Sequence, residues 1–442
     1  MTLRSGATQR ARVLSLSVIL LAVFTVTWGS ELLSSPGYEG GRLTVLTGFV
    51  LLAASLAGGL ASTVGLPRLT GFILVGILAG PSVTGILGSS SVESLRLIDE
   101  FALALIAMLA GGELRVQRLR SQARSIVLGT AGVTVVVWVG MAGTVLAIRP
   151  FVPFLAELPF EAALGVALLL GIWAANSSPD LTVAVIEETG ARGVFTDVVL
   201  GITIVKDVVV IVLFTLTLSL VAPLIDPSQA FSADVLGELA QEVGGALVLG
   251  AILGWVFSKY LGDDADHPRP PIATFLFAYL LVVITGRLHV ELLLTAVAAG
   301  FVIENLSPAG DRMIRGIESV SVVIFAFFFA IAGASLDLGA VRDFGLAALV
   351  LFVARAALTW VGSRQSLRWA GAPEAVSASA WQGLISQGGV TLGLVIIIRD
   401  EFADLGSGVV ALAMSVILGS ILIGPILLKR ALLATAGDDE ES

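Results

Sequence analysis

Lys206 and Asp207 stand side by side in Gly201-Ile-Thr-Ile-Val-Lys-Asp-Val-Val-Val-Ile, with roughly ten mostly apolar residues on either side. Ionisable groups at membrane depth are costly and are functional candidates by default. A carboxylate that trades a proton for a small cation is the minimum machinery of exchange, because both ligands compete for one negative charge. Thr203, one turn before Asp207, offers a hydroxyl oxygen, although a back-bond to its own helix is the more expected use. Adjacent helical residues point about 100° apart, so Lys206 and Asp207 do not face one partner. Arg355, in Val353-Ala-Arg-Ala-Ala-Leu, is a further charge in an apolar run. Its guanidinium is a fixed cation, suited to neutralising helix ends or bracing a site.

Two interruptions accompany these charges. Asn176-Ser177-Ser178-Pro179-Asp180 breaks one apolar run, and Ser386-Gln387-Gly388-Gly389 breaks another. Proline removes a backbone donor and disfavours helix at the residue before it. The serines and Asp180 offer local partners to freed backbone groups. Paired glycines weaken a helix and admit a second backbone. Irregular backbone at membrane depth is tolerated only where it lines a cavity or is buried in protein. The candidate ion and proton ligands are therefore Asp207, Lys206, Ser177, Ser178, Asp180 and Thr203. Arg355, Pro179, Gln387, Gly388 and Gly389 are candidate braces. Glu113, Glu291, Glu304, Glu318 and Asp337 lie near segment ends, where capping or solvated roles are expected.

These residues must be positioned by membrane helices. The chain has 442 residues, of which 56% are hydrophobic and only 13% charged, with mean hydropathy +0.98. Soluble domains carry about a quarter charged residues. A span needs about 20 mostly apolar residues. Fourteen candidate segments are read: 13–33, 43–65, 69–87, 97–117, 124–147, 160–187, 196–224, 238–260, 272–287, 290–305, 314–337, 341–363, 373–398 and 405–428. The first follows Arg4, Arg10 and Arg12 like a signal-peptide core, but no small-x-small cleavage site follows Trp28, and a retained helix is expected. Of the 25 Lys and Arg residues, this count puts 17 in loops on the side of the N-terminus and 6 in loops opposite. Only Lys206 and Arg355 remain in the interior of segments, away from their ends. The positive-inside rule then places both termini in the cytoplasm, and the plasma (inner) membrane is the expected location.

The expected organisation is an N-terminal segment with an extra helix over 1–42, a membrane domain over 43–428 and a tail over 429–442. With 238–260 as linker, 43–224 and 272–428 form two groups of six segments. Each interruption falls on the fifth segment of its group, and the odd number of intervening segments gives the halves opposite orientation. This is the pattern of an inverted repeat. Cysteine is absent, so no thiol chemistry is available. The two histidines, His267 and His289, fall in connecting segments and do not form a metal site. No Walker A or dinucleotide fingerprint occurs, so neither nucleotide nor nucleic acid is an expected partner. No cofactor and no enzyme activity are expected.

The chain resembles the cation/proton antiporter superfamily, the sodium/proton exchanger fold, from about residue 43 onward. Leu103-Ala-Leu-Ile-Ala-Met-Leu-Ala-Gly-Gly-Glu-Leu is similar to that family's apolar helix ending in Gly-x-Glu-Leu. Ser177-Ser178-Pro179 resembles its first broken helix, and Gln387-Gly388-Gly389 its second. Phe328-Phe329-Ala-Ile-Ala-Gly-Ala-Ser-Leu-Asp-Leu resembles its Phe-Phe-x-x-x-Gly-x-x-Leu-Asp run. Arg355 falls where the family carries Lys or Arg facing the ion site. The resemblance implies crossing broken helices, an elevator movement of a core against a dimerisation domain, and a homodimer. It also implies that Asp207 binds the transported monovalent cation (Na+ or K+) and the proton. Lys206 departs from the family's Asp or Asn at that place. The expected function is cation/proton antiport; the alternatives are an anion transporter on a related fold and a non-transporting sensor.

Overall fold

The computed structural model describes residues 17–25, 27, 39–225, 234–261, 270–288, 290–306, 310–336 and 338–435. His267, His289, Asp337, the N-terminal arginines and the acidic tail lie outside the described residues. No strand occurs among them.

In chain order, helix α1 covers 17–25 and is followed by α2 (Glu39–Thr63), α3 (Arg68–Ala79), α4 (Ser89–Ser94) and α5 (Arg96–Glu113). Next come α6 (Val116–Ile148), α7 (Pro153–Ala156), α8 (Phe160–Ala175), α9 (Pro179–Thr189) and α10 (Val194–Ile225). The chain continues through α11 (Asp234–Leu261), α12 (Pro270–Leu288), α13 (Leu292–Leu306), α14 (Gly310–Glu318) and α15 (Ser321–Ala334). It ends with α16 (Leu338–Ala370), α17 (Glu374–Gly383), α18 (Gly389–Glu401) and α19 (Ala403–Thr435). Among the described residues, seven helical stretches are long and apolar enough to cross a membrane, or eight counting one bent pair. Four shorter apolar helices accompany them. The protein is an all-α polytopic membrane protein.

Two segments differ from the expectation. The run 69–87 holds a helix of only 12 residues, α3. It stops because Gly80 precedes Pro81 and turns extended, with ψ 172°. The run 314–337 is not one rod: α14 and α15 meet at a 58° bend. α14 carries Asp311, Arg312, Arg315 and Glu318 within nine residues, too many charges to continue an apolar helix. At the bend the Ser319 and Ser321 hydroxyls donate to the carbonyls of Gly316 and Glu318, at 2.8 and 2.9 Å, taking up acceptors that the ladder leaves behind.

The helices pack in two groups. In one, α6 lies against α16, α8 and α10, while α16 lies against α17 and α19. In the other, α5 packs on α13, α15 and α12; α3 packs on α15 and α2; and α11 packs on α13. The groups meet where α9 touches α5 and α3, α19 touches α3, and α10 touches α11. Helix contact inside lipid relies on small residues that let backbones approach. A Cβ added to Gly76 would stand 1.9 Å from the Ala330 carbonyl oxygen, and one at Gly333 would stand 2.3 Å from that of Ile73. The α5–α13 seam is built alike: Gly300 would meet the Met108 oxygen at 2.1 Å and Gly111 the Val297 oxygen at 2.0 Å.

Candidate ion-binding site

The site begins where α8 stops. Asn176 turns extended, with ψ 154°, and Pro179 opens α9, which keeps Ser178 out of the helix at φ −84°, ψ 115°. Ser178 caps α9: its hydroxyl accepts the Leu181 N–H at 3.2 Å and donates to the Asp180 carboxylate. The second break runs over 384–388, between α17 and α18. The two breaks cross. The Ser178 N–H donates to the Ser386 carbonyl at 2.9 Å, and the Ser177 hydroxyl donates to the Leu384 carbonyl at 2.7 Å. Gly388 stands against the first break. A Cβ there would lie 2.5 Å from Ser178 Oγ and 3.0 Å from Asp180 Oδ2, so a larger residue would have to displace the Ser178 cap or the Asp180 carboxylate.

Arg355 reaches into this crossing from α16 and is 1% exposed. Its Nε donates to the Ala174 carbonyl at 2.7 Å. Its terminal nitrogens donate to Ile385 at 2.7 Å, Asn176 at 2.6 Å and Leu384 at 3.4 Å. These carbonyls belong to the C-terminal ends of α8 and α17 and the breaks that follow, where helix dipoles gather negative charge. One guanidinium therefore braces both breaks.

Lys206 and Asp207 enter from the middle of α10, 1% and 3% exposed. The Lys206 ammonium donates to the Ser177 hydroxyl. The Asn176 side chain neighbours the Asp207 carboxylate. Asp207 Oδ1 has no hydrogen-bond partner among the described residues, and neither do Ser386 Oγ and Gln387 Nε2. A buried carboxylate oxygen without a donor is a costly arrangement and is the kind of atom a cation ligates. Thr203 is turned elsewhere: its hydroxyl donates to Val199 of its own helix at 2.5 Å. The Gln387 side-chain amide oxygen accepts from the Ser420 hydroxyl of α19 at 3.0 Å, and Gly389 opens α18.

Several participants carry little sequence signal. Asn176 also donates to Thr391 of α18 at 3.3 Å, and the Trp173 indole donates to the Thr391 carbonyl at 3.0 Å. Asn176 leads the break, and that place was its only mark. Of the end-of-segment carboxylates, Glu291 caps α13 by accepting the N–H groups of Leu293, at 3.1 Å, and Leu294. Glu304 pairs with Arg115 at 2.9 Å. Glu113 and Glu318 gather with Glu187, one carboxylate oxygen of each lying within 4.8 Å of the others. Glu187 and Glu188 border a cavity of about 340 Å³ between α3, α9 and α15, with Arg68, Phe72 and Phe325.

The fold and its crossed breaks define a class of membrane transport protein. The sodium/hydrogen exchanger transmembrane family matches residues 50–434, and the chain belongs to that family, a family of cation/proton antiporters and not of enzymes. Among curated relatives, it is 25% identical over 298 residues to the iron transporter MagA of Paramagnetospirillum magneticum, covering 65% of this chain and 62% of that transporter's length. It is 24% identical over 355 residues to the Na(+)/H(+)-K(+) antiporter GerN of Bacillus cereus, covering 78% of this chain and 84% of the relative. The sodium proton antiporter MjNhaP1 from Methanocaldococcus jannaschii, solved at pH 8, shares the fold with a TM-score of 0.64 at 17% identity. That match covers 90% of this chain and 97% of the other.

Proposed function

We propose that this chain is a secondary active antiporter that exchanges a monovalent cation, Na+ or K+, for H+, with Asp207 as the cation ligand. The observation that carries the proposal is the Asp207 Oδ1 atom, buried without a hydrogen-bond partner among the described residues, beside two crossed breaks. A cation satisfies that oxygen, and its charge opposes the proton held on the neighbouring Lys206. The movement is alternating access of elevator type, in which the group containing α6, α8–α10 and α16–α19 slides against the other. Fourteen membrane segments in two inverted six-segment repeats serve this movement, in a homodimer of the plasma membrane with both termini cytoplasmic. Support for the repeat comes from contact pairs that match across the halves: α3 with α15 as α13 with α5, α6 with α8 as α16 with α17, and α6 with α10 as α16 with α19.

Lys206 sets the stoichiometry. In the empty site an ammonium and a carboxylate carry zero net charge. A cation arriving at Asp207 favours neutral Lys206, which releases one proton. The loaded site is again neutral, so exchange is one for one and electroneutral. The anion reading is weakened because four of the five Arg355 N–H groups are spent on carbonyls. The likeness to an iron transporter raises a divalent reading, but a site of one aspartate beside a lysine suits a single positive charge. Proteoliposomes with Na+, K+, Li+ or Fe2+ gradients and a proton dye test all of this. The expected result is Na+- or K+-driven proton flux that builds no membrane potential and is lost in Asp207→Asn. Flux that persists in Asp207→Asn overturns the site, a potential overturns electroneutrality, and flux driven only by Fe2+ overturns the cation class.

A further inference from the structure

The Lys206–Asp207 site explains what is carried, but not how one helix group moves without its connections dragging on the other. α6 and α16, both 33 residues long, lie against each other at the heart of the group proposed to slide. Each joins the other group through a short linker at its N-terminus. The first amides of a helix lack intrahelical partners, and the N-cap of α6, Arg115, supplies no side-chain acceptor of its own.

The acceptor comes from α13. Asn305 Oδ1 accepts the Val116 N–H at 2.8 Å, and its Nδ2 donates to the Leu114 carbonyl at 2.9 Å and to Phe301 of its own helix at 2.8 Å. The neighbouring Arg115–Glu304 pair, at 2.9 Å, holds the same joint. The start of α16 is held in the same pattern by the turn after α3. Ser82 Oγ donates to the Leu336 carbonyl at 3.2 Å and accepts the Leu338 N–H at 3.3 Å. In both joints one side chain binds the carbonyl two residues before the helix and the N–H of its first residue. In both, a seam glycine, Gly111 or Gly333, stands three residues before that carbonyl.

We infer that Asn305 and Ser82 are positioning residues: they pin the first turns of α6 and α16 to the other group and so fix the two pivots of the sliding movement. This rests on the elevator reading above. The residue types suit a pivot. Hinges are element-terminal positions that absorb rotation while their ends stay in place, and these neutral clasps are indifferent to cation or proton loading. The contact between Lys429 of α19 and the Leu66 carbonyl, at 3.0 Å, spans the groups away from the linkers and has to part when they slide.

The absence of cysteine makes the test direct. In Val116→Cys/Asn305→Cys the clasp is lost. Turnover in proteoliposomes should fall several-fold with the cation KM unchanged, and a short bifunctional thiol reagent should restore it. In Leu66→Cys/Lys429→Cys the same reagent should abolish turnover. Ser82→Ala repeats the test on an exposed residue: turnover should fall, and Ser82→Thr, which keeps the hydroxyl, should recover it. The inference is overturned if linking 116 to 305 stops transport, if the unlinked pair turns over like the wild type, or if Ser82→Ala is silent. Transport that survives linking 66 to 429 overturns the elevator reading itself, a separate outcome.

Discussion

Arg355 carries one charge and spends it on main-chain carbonyls of two broken helices. That use depends on its planar fork of donors, which a lysine lacks. In Arg355→Lys the charge stays, but a single ammonium cannot reach carbonyls on both sides of the crossing. Each buried acceptor left bare costs about 1–3 kcal/mol, so two of them cost roughly 2–6 kcal/mol. The expected result is a lower unfolding midpoint in detergent, followed by intrinsic tryptophan fluorescence, together with loss of cation-driven flux. A variant that melts with the wild type would show that the bonds to Ala174, Asn176, Leu384 and Ile385 brace nothing. At this scale the sequence is readable where charge marks a residue. Lys206, Asp207 and Arg355 are visible because apolar runs rarely hold ions. Asn176 and Ser386 are marked only by their place in the two breaks, and Thr391 and Ser420 not at all, because neutral polar side chains are ordinary glue between membrane helices. Thr203 stands at ligand spacing, but its hydroxyl makes the back-bond to its own helix that such a position favours, to the i−4 carbonyl of Val199.

Between elements, the glycine seams decide how closely helices stand. Gly76 and Gly300 each press on a carbonyl of the neighbouring helix, so added methyls have backbone to displace and no flexible side chain to push aside. Overpacking of this kind costs about 1–3 kcal/mol. Gly76→Ala and Gly300→Ala should destabilise by similar amounts, because the two seams repeat one geometry. Gly143→Ala in α6, where a Cβ meets nothing within 4 Å, should be neutral or stabilising by up to about 1 kcal/mol through helix propensity. Detergent unfolding of the three variants checks this, and unequal costs at 76 and 300 would argue against equivalent seams. Periodicity and composition located each long helix and both interruptions. They missed the bend between α14 and α15, because the apolar run of α15 hides the charged, amphipathic turn before it. They overran α3, because apolar residues after Gly80-Pro81 extend the run without extending the helix.

For the whole molecule, the question is which contacts between the two groups hold this state. Sequence shows nothing of them, since their partners are far apart along the chain. Glu188, at the end of α9, accepts the Arg68 N–H at 2.6 Å and the Lys429 ammonium at 3.0 Å. Lys429 also donates to the Leu66 carbonyl. Two helices of one group are thereby tied to the first turn of α3 in the other. The Lys429 and Glu188 side chains are 17% and 15% exposed, so water screens the pair less than a surface ion pair, for which about 0–1 kcal/mol is typical. In the proposed elevator movement, sliding has to break this latch in every cycle. Glu188→Gln keeps an acceptor for the Arg68 amide but removes the charge, which isolates the ion pair from the helix cap. If the latch favours the present state, its loss shifts the resting population by about 1–2 kcal/mol, roughly a 5–30-fold change. Amide exchange in the 64–70 segment should then quicken, while exchange at the α6 and α16 first turns, held by Asn305 and Ser82, should stay as it was. Unchanged exchange around Leu66 would mean that the tie carries no weight in setting the state. Faster exchange at all three places would mean that the groups are loosened as a whole and do not slide between fixed pivots.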